Sequence, residues 1–495
     1  MIAVGTNARA FNLDGGSVGE IIGHAKPITS LAIKPSDPGV RVLSVVTGSE
    51  DRSVAFFGSV PLKFQSKLDG LHEKDILGVA ISPDGSKLIT VGADTRIQLY
   101  VYNTEGKRFE HKTTISKSGD KIGHTGTILG VSWAGDSKRF ATAGAADRTV
   151  KMWDVETGTV LRSWTFGKDF NHQQVGIVWP PNRSDDLIIS LSLNGDLNYI
   201  KPDSEQPVRV VQGQYHSISA MTVSGQTLFT GGGVDGKVYS WDVASGTGTI
   251  VSGDSHTTKV LGFTRTDEKL YSVALNNRLR TIDLSTKAFT DVLELPSEPR
   301  GVAAADGRVY VVLNDRIVIY VSGREAGKIT VPEKEEATAV VAYGSLIAVG
   351  TSHSAVRLYK VDGSNKATQI DESTKPTSAI TALAFSKDGS RLAAGTHRGP
   401  IYVYEAKADA LQFVTDQWSA HTARVSCLAW NDKGTHVVSG SLDTHIFVWS
   451  YDDPTSRDQK ANAHKEGVNG VAWVGEKKLA SAGSDASVKI WEWKG

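Results

Sequence analysis

The sequence predicts an all-β fold assembled from one repeated supersecondary unit, and three observations predict it. The stretch HTARVSCLAWNDKGTHVVSGSLDTHIFVW, from His421 to Trp449, holds three short runs rich in apolar, β-branched and aromatic residues, parted by polar turns. That patterning marks the strands of a meander. The unit recurs from His464 to Trp491 and from His124 to Trp153, with His-to-Trp separations of 28, 27 and 29 residues. No segment sustains a helical period. A unit returning every ~40–45 residues is the pattern of radial β-propeller blades, in which each sheet buries against the next a face it cannot bury alone.

The elements follow in chain order. Residues 1–20 hold only part of a unit: IAVG reads as a second strand and ARAFNLD as a third. From Gly23-His24 a full unit runs through ITSLAI and VLSVVTGSEDRSVAFF to Phe57, and the next, from His72, turns at Asp84-Gly85. Aspartate and glycine there supply hairpin-turn chemistry, as Asn431-Asp432-Lys433-Gly434 does in the last third of the chain. Residues 103–121, rich in Lys, Ser and Gly, are expected to form an exposed loop before the His124 unit. A weaker unit follows, from QQVGIVW to Ile200. KPDSEQP, at 201–207, is polar and proline-bounded and is the best linker candidate. Beyond it lie units ending near Asp242 and Asp283, two that lack the repeat's His and Trp (299–320 and 337–361), one at 380–405, and the two strong ones. The total is eleven units and a leading fragment, about eleven and a half blades. That exceeds the 4–8 blades of one ring, so two rings are expected: an N-terminal propeller at 1–205 and a C-terminal propeller at 206–495. A ring also needs its outer strand closed by a distant segment, and VRVVQG (208–213) is a candidate for the last blade.

Composition narrows the function classes. The 495 residues carry 54 Lys+Arg against 54 Asp+Glu, so no electrostatic footprint for nucleic acid or an anionic membrane is expected. The one cysteine, Cys427, lies in an apolar strand pattern and reads as a small buried hydrophobe. Without a disulfide framework the chain suits a reducing compartment. MIAVGTNARAFNL has no basic region followed by a long apolar core, and no run reaches membrane-spanning length, so a cytoplasmic protein is expected.

Three sets of residues invite a catalytic reading: His421, Ser439, Asp443 and Trp449; His464, Ser481, Asp485 and Trp491; His124, Thr142, Asp147 and Trp153. An active site is needed once, whereas this set returns in every strong unit. The expected role is a hydrogen-bond chain from the indole N–H through hydroxyl and imidazole to the carboxylate, pinning the loops of each blade. There is no metal-ligand spacing and no CxxC or HExxH. Gly231-Gly232-Gly233 precedes no helical pattern and reads as a strand-end turn rather than a phosphate loop. Neither a metal nor a cofactor is expected, and a propeller enzyme is disfavoured.

The units resemble WD repeats, with Gly-His at Gly23-His24 and Gly123-His124 and Trp-Asp at Trp153-Asp154 and Trp241-Asp242. Blade order along the whole chain, together with the segment SVPLKF (59–64) after a repeat, is similar to the actin-interacting protein 1 family. The resemblance implies two linked seven-bladed propellers. It also implies a non-enzymatic protein that binds actin filaments decorated by actin-depolymerizing factor (ADF)/cofilin, promotes their disassembly and helps block barbed ends. As that resemblance has it, the protein is a cytoplasmic monomer of the actin cytoskeleton, in cortical patches or comparable structures. Fewer blades than fourteen then imply an N-terminal ring short by about two and a half. Carried over, the family's actin-contacting positions fall on Glu50 beside Asp51 and on Phe64; a further family aromatic meets Asp75, and a family acid expected around Asn7–Arg9 is absent. For Asp51 the network carboxylate of its blade is the favoured role. A generic WD-repeat adaptor of a multiprotein complex is the alternative function.

Overall fold

Twelve antiparallel sheets follow one another along the chain in the computed structural model, which describes residues 2–4, 6–11, 17–34, 44–58, 63–106, 108–115, 123–183, 185–266, 268–332, 334–407 and 409–495. Numbered in chain order, sheets 1 to 12 span residues 2–22, 28–68, 76–115, 128–165, 174–211, 218–250, 260–294, 301–330, 337–373, 380–418, 425–460 and 468–492. Sheets 1 and 12 have three strands and the other ten have four, each strand paired with the one before it. Among the described residues the helical element is one 3-10 turn, Phe170–His172. The all-β blade architecture read from the sequence is the one found.

Second and third strands are buried on both faces, as in Arg139–Gly144 and Thr149–Asp154. Such strands are written as nearly continuous apolar runs, which makes them visible in the sequence. Fourth strands lie at the outer edge and are polar; Arg457–Lys460 is exposed at every position. That is why the repeat reads as three runs and folds as four strands. The same cause corrects the reading of 103–121: Arg108–Ile115 is not loop but the fourth strand of sheet 3, paired along Ile97–Asn103. Residues 116–122, and SVPL at 59–62, lie outside the described residues.

The chain divides into two compact units, Met1–Gly213 and Gln214–Gly495. Residues 201–207 are a hairpin loop rather than a linker: they join Leu197–Ile200 to the fourth strand Arg209–Val211 of sheet 5, and Trp164 Nε1 donates to the Ser204 carbonyl at 2.8 Å. VRVVQG therefore completes sheet 5 instead of closing sheet 12, because Leu197, Asn198 and Tyr199 pair with Val211, Val210 and Arg209.

The first unit carries sheets 1 to 5 and the second carries sheets 6 to 12, with first strands of successive sheets side by side in each. In both, a one-residue bulge near the start of the first strand frees a polar side chain to reach the next sheet. Thr29 donates to the Ile76 carbonyl, Ser219 to that of Val260 at 2.5 Å, Thr338 to Ile380 at 2.6 Å and Thr381 to Val425 at 2.6 Å. The series closes the second unit into a ring of seven sheets, since Asn469 of sheet 12 donates to Ile218 of sheet 6 at 2.8 Å. Leu228, Val474 and Ala480 bury the joint together with Met221 and Trp241. Gly470 is required there, because a Cβ at that position would lie 2.5 Å from the Met221 Cβ.

Candidate functional site

The recurring polar residues come together inside the blades. In sheet 11 the Trp449 indole donates to Ser439 Oγ at 2.8 Å, Ser439 meets His421 Nε2 at 2.8 Å, and His421 Nδ1 meets Asp443 at 2.8 Å. Sheet 12 repeats this with Trp491, Ser481, His464 and Asp485, all three contacts at 2.8 Å. Sheet 4 does so with Trp153, Thr142, His124 and Asp147 at 2.8, 2.7 and 2.8 Å. In the neutral tautomer that satisfies every group, the hydroxyl accepts from the indole and donates to Nε2, while Nδ1–H donates to the carboxylate. The hydroxyls of Ser439, Ser481 and Thr142 belong to fully buried residues and face only their own network, so none is placed to attack a substrate. The carboxylates do more than hold imidazole. Asp443 also accepts from the Thr422 N–H at 3.0 Å and the His445 N–H at 3.0 Å. Burial opposes its ionisation, but the hydrogen bonds from His421 and these amides win and hold it at about 2.

Other blades build the same device from residues the sequence pattern did not single out. His72, Thr90 and Asp94 form it in sheet 3. In sheet 5, Gln174, which stands in register with Ile128 of sheet 4 and not with a histidine, bonds Ser190 and Ser192 from within the first strand. In sheet 7, Asn276 stands where the others have aspartate, so His256 faces an amide at 3.1 Å and Ser272 at 2.9 Å. Burial, without a carboxylate to offset it, lowers His256 to about 4. Sheets 8 and 9, which lack the repeat's His and Trp, use charge instead: Arg300 bonds Glu336 and Asn314, and Arg357 pairs with Glu335 and Glu372 at 2.7 and 3.2 Å. For His72, Thr90 and Asp94 and for His256, Ser272 and Asn276 the signal is register against the strong blades, whereas Gln174, Arg300 and Arg357 stand outside that register.

The residues carried over as a contact site sit on sheet 2. Its network runs His24, Thr47, Asp51, with Phe57 in the tryptophan position. Asp51 accepts from His24 at 3.1 Å, from the Ala25 N–H at 2.9 Å, from Lys67 Nζ at 3.1 Å and from Ser53. Burial works against its charge, yet the bonds from Ser53, Ala25, Lys67 and His24 hold it well below the ordinary carboxylate range. Its acceptor capacity is thus taken up within the blade. Glu50 beside it is half-buried, with its N–H on the Pro27 carbonyl. Phe64 pairs across the strand with Phe57, packs its ring edge-on at 5.7 Å, and stays 52% exposed. Gly23 makes room for it: a Cβ there would lie 3.1 Å from the Phe57 ring and 3.3 Å from the Phe64 ring. Ile22, just before, is 64% exposed. Where a carboxylate was missing around Asn7–Arg9, the neighbouring strand supplies Glu20, 3.3 Å from Asn7 Nδ2 and 3.6 Å from Arg9.

Among the described residues no group of three or more His, Cys, Asp or Glu is placed to hold a metal ion. The Cys427 thiol faces the Gly440 and Val468 carbonyls at 3.8 and 4.0 Å, and burial pushes it up to about 12.

Comparison with known proteins brings in names. The sequence pattern of the WD domain, G-beta repeat, matches residues 15–57, 65–100, 116–154, 413–450 and 457–492, and that of the Vps8 beta-propeller matches 333–423. The chain is 32% identical over 487 residues to WD repeat-containing protein 1 of Gallus gallus, covering 96% of this chain and 77% of that protein. It is 33% identical over 490 residues to the Bos taurus protein of the same name, with the same coverage. It is 29% identical over 511 residues to actin-interacting protein 1 of Drosophila melanogaster, covering 99% of this chain and 79% of that protein.

Proposed function

Because the chain belongs to the family of WD repeat-containing protein 1 and actin-interacting protein 1, we propose that it binds actin filaments and promotes their disassembly together with ADF/cofilin. The observation that carries this is similarity over 96% or more of the chain to relatives of which one is named for interacting with actin. The protein acts as a scaffold without chemistry of its own, and its part is differential binding. A filament state favoured by cofilin is held more tightly than the bare one, which shifts the population toward severed and capped filaments.

The contact surface in this reading is the face of sheet 2 with its neighbour, sheet 1. Phe64 and Ile22 offer apolar area, and Glu50 and Glu20 offer negative charge to a partner carrying Lys and Arg. A half-exposed aromatic seated on a buried one is pre-oriented, so little rotamer entropy is lost on docking, and such anchors dominate interface energetics. Asp51, consumed by its network, supports the turn that presents Glu50. Co-sedimentation with actin filaments, with and without cofilin, tests the reading. Greater pelleting with decorated filaments and a rise in soluble actin only with cofilin are expected; equal affinity for bare and decorated filaments rejects it.

A further inference from the structure

Seams between neighbouring blades are packed with side chains from both, and aromatic rings fill the one between sheets 10 and 11. Between sheets 10 and 11 three indoles meet: Trp418 stacks on Trp449 at 5.8 Å and 17°, and lies 6.3 Å from Trp430. Register maps those positions onto the seam between sheets 7 and 8. In sheet 11, Trp430 pairs with Val437 and Val437 with Trp449; in sheet 8 the corresponding chain is Ala304, Val309 and Tyr320. In sheet 10, Ile401 pairs with Trp418; in sheet 7, Leu279 pairs with Leu293. Two indoles are thus replaced by alanine and leucine and the third by tyrosine. Between sheets 3 and 4, Trp133 and Trp153 hold the positions of Ala304 and Tyr320.

The substitutions leave a space. A cavity of about 410 Å³ lies in this seam, lined by Tyr271, Leu279, Leu293, Val309 and Tyr320 among others. Its lining thus includes the leucine and tyrosine that replace two of the indoles. Exposed Lys269 and Asp291 border it. The volume falls within the range of small-ligand sites, ~300–1,000 Å³. The lining is mixed, with Lys269, Thr281, Asp291 and Ser322 beside the apolar side chains, so it suits a guest that has a flat apolar face and a polar edge.

We propose that the seam between sheets 7 and 8 binds a planar bicyclic aromatic group of indole size, in the place that Trp418 occupies in the seam between sheets 10 and 11. The aliphatic and aromatic walls take the ring faces, and the hydroxyls of Tyr271, Thr281, Tyr320 or Ser322 accept from the ring N–H.

The test is titration of the full chain with 5-fluoroindole, followed by fluorine NMR, with labelled leucine and valine methyls reporting contact. A parallel arm uses N-acetyl-tryptophanamide, which tells a partner's side chain from a free ring. Saturable binding with a Kd of about 1 mM or tighter is expected, with magnetisation transfer to the Leu293 and Val309 methyls. Leu293→Trp and Ala304→Trp, which restore the residues of the filled seam, are expected to weaken binding about tenfold or more and to raise the melting temperature. Absence of saturation, transfer to methyls elsewhere, or undiminished binding in folded filled variants overturns the proposal. Should the filled variants not fold, the methyl contacts in the unaltered chain decide it.

Discussion

At the scale of the residue, the structure turns one repeated set of side chains into a graded series of networks. Ser439 stands between two buried nitrogen groups, Trp449 Nε1 and His421 Nε2. Ser439→Ala strands both, and an unsatisfied buried polar group costs ~1–3 kcal/mol, so a loss of about 2–4 kcal/mol is expected in urea unfolding. Ser481→Ala is expected to cost less, because Trp491 is only half-buried and water can serve its indole. His256 gives a pH dependence with a definite sign. Its folded pKa of about 4 lies below the ordinary 6.5 because burial disfavours the imidazolium. The unfolded chain therefore takes up the proton first as pH falls. The stability this neutral histidine contributes is present above about 6.5 and is lost progressively as pH drops toward 4, on the order of 3 kcal/mol in all. Urea midpoints between pH 7 and 4 check this: His256→Gln is expected to flatten part of the slope, and an unchanged slope refutes the assignment.

At the scale of the element, the bulge in the first strand does the joining. In sheets 2, 6, 9 and 10 it turns a hydroxyl toward the next blade's backbone, and in sheet 12 the same position ties the last sheet of the second unit to its first through Asn469. Asn469→Ala removes that bond and the one to Ser484 Oγ and leaves the buried Ile218 without its cross-blade donor, an expected loss of about 1–3 kcal/mol. Gly470→Ala is expected to cost more, since the atom it meets at 2.5 Å is a Cβ close to the backbone rather than a flexible tip. Thermal unfolding followed by circular dichroism should rank the two in that order.

At the scale of the whole molecule, the proposed filament contact combines an apolar anchor with carboxylates, and the two should separate in salt. Phe64→Ala removes desolvated area, so affinity for cofilin-decorated filaments is expected to fall about tenfold with the salt dependence unchanged. Glu50→Gln removes a charge facing a basic partner, so a smaller loss is expected together with a shallower salt dependence. Co-sedimentation at two ionic strengths measures both. If the two variants shift affinity and salt dependence alike, the surface is not arranged as proposed.

The sequence by itself determined the repeat, the strands with both faces buried and the His, Ser/Thr, Asp, Trp sets. Each is written in local pattern: an apolar run, a turn dipeptide, a fixed offset. Only the tertiary structure decided what depends on partners distant in sequence. A polar outer strand such as Arg108–Ile115 looks like loop until the strand it pairs with is known, and Arg209–Val211 is assigned to the wrong blade until its partner Leu197–Ile200 is known. Gln174 and the Arg300 and Arg357 pairs make polar contacts in their blades from positions outside the repeated His, Ser/Thr, Asp register, so neither register nor composition reveals them. Asp51 and Phe64 lie near each other in sequence, yet packing separates them: one carboxylate is saturated by its own blade and one ring is left half in water. Hydrogen-bond saturation and exposure are properties of the assembled neighbourhood, so they appear only when the chain has folded.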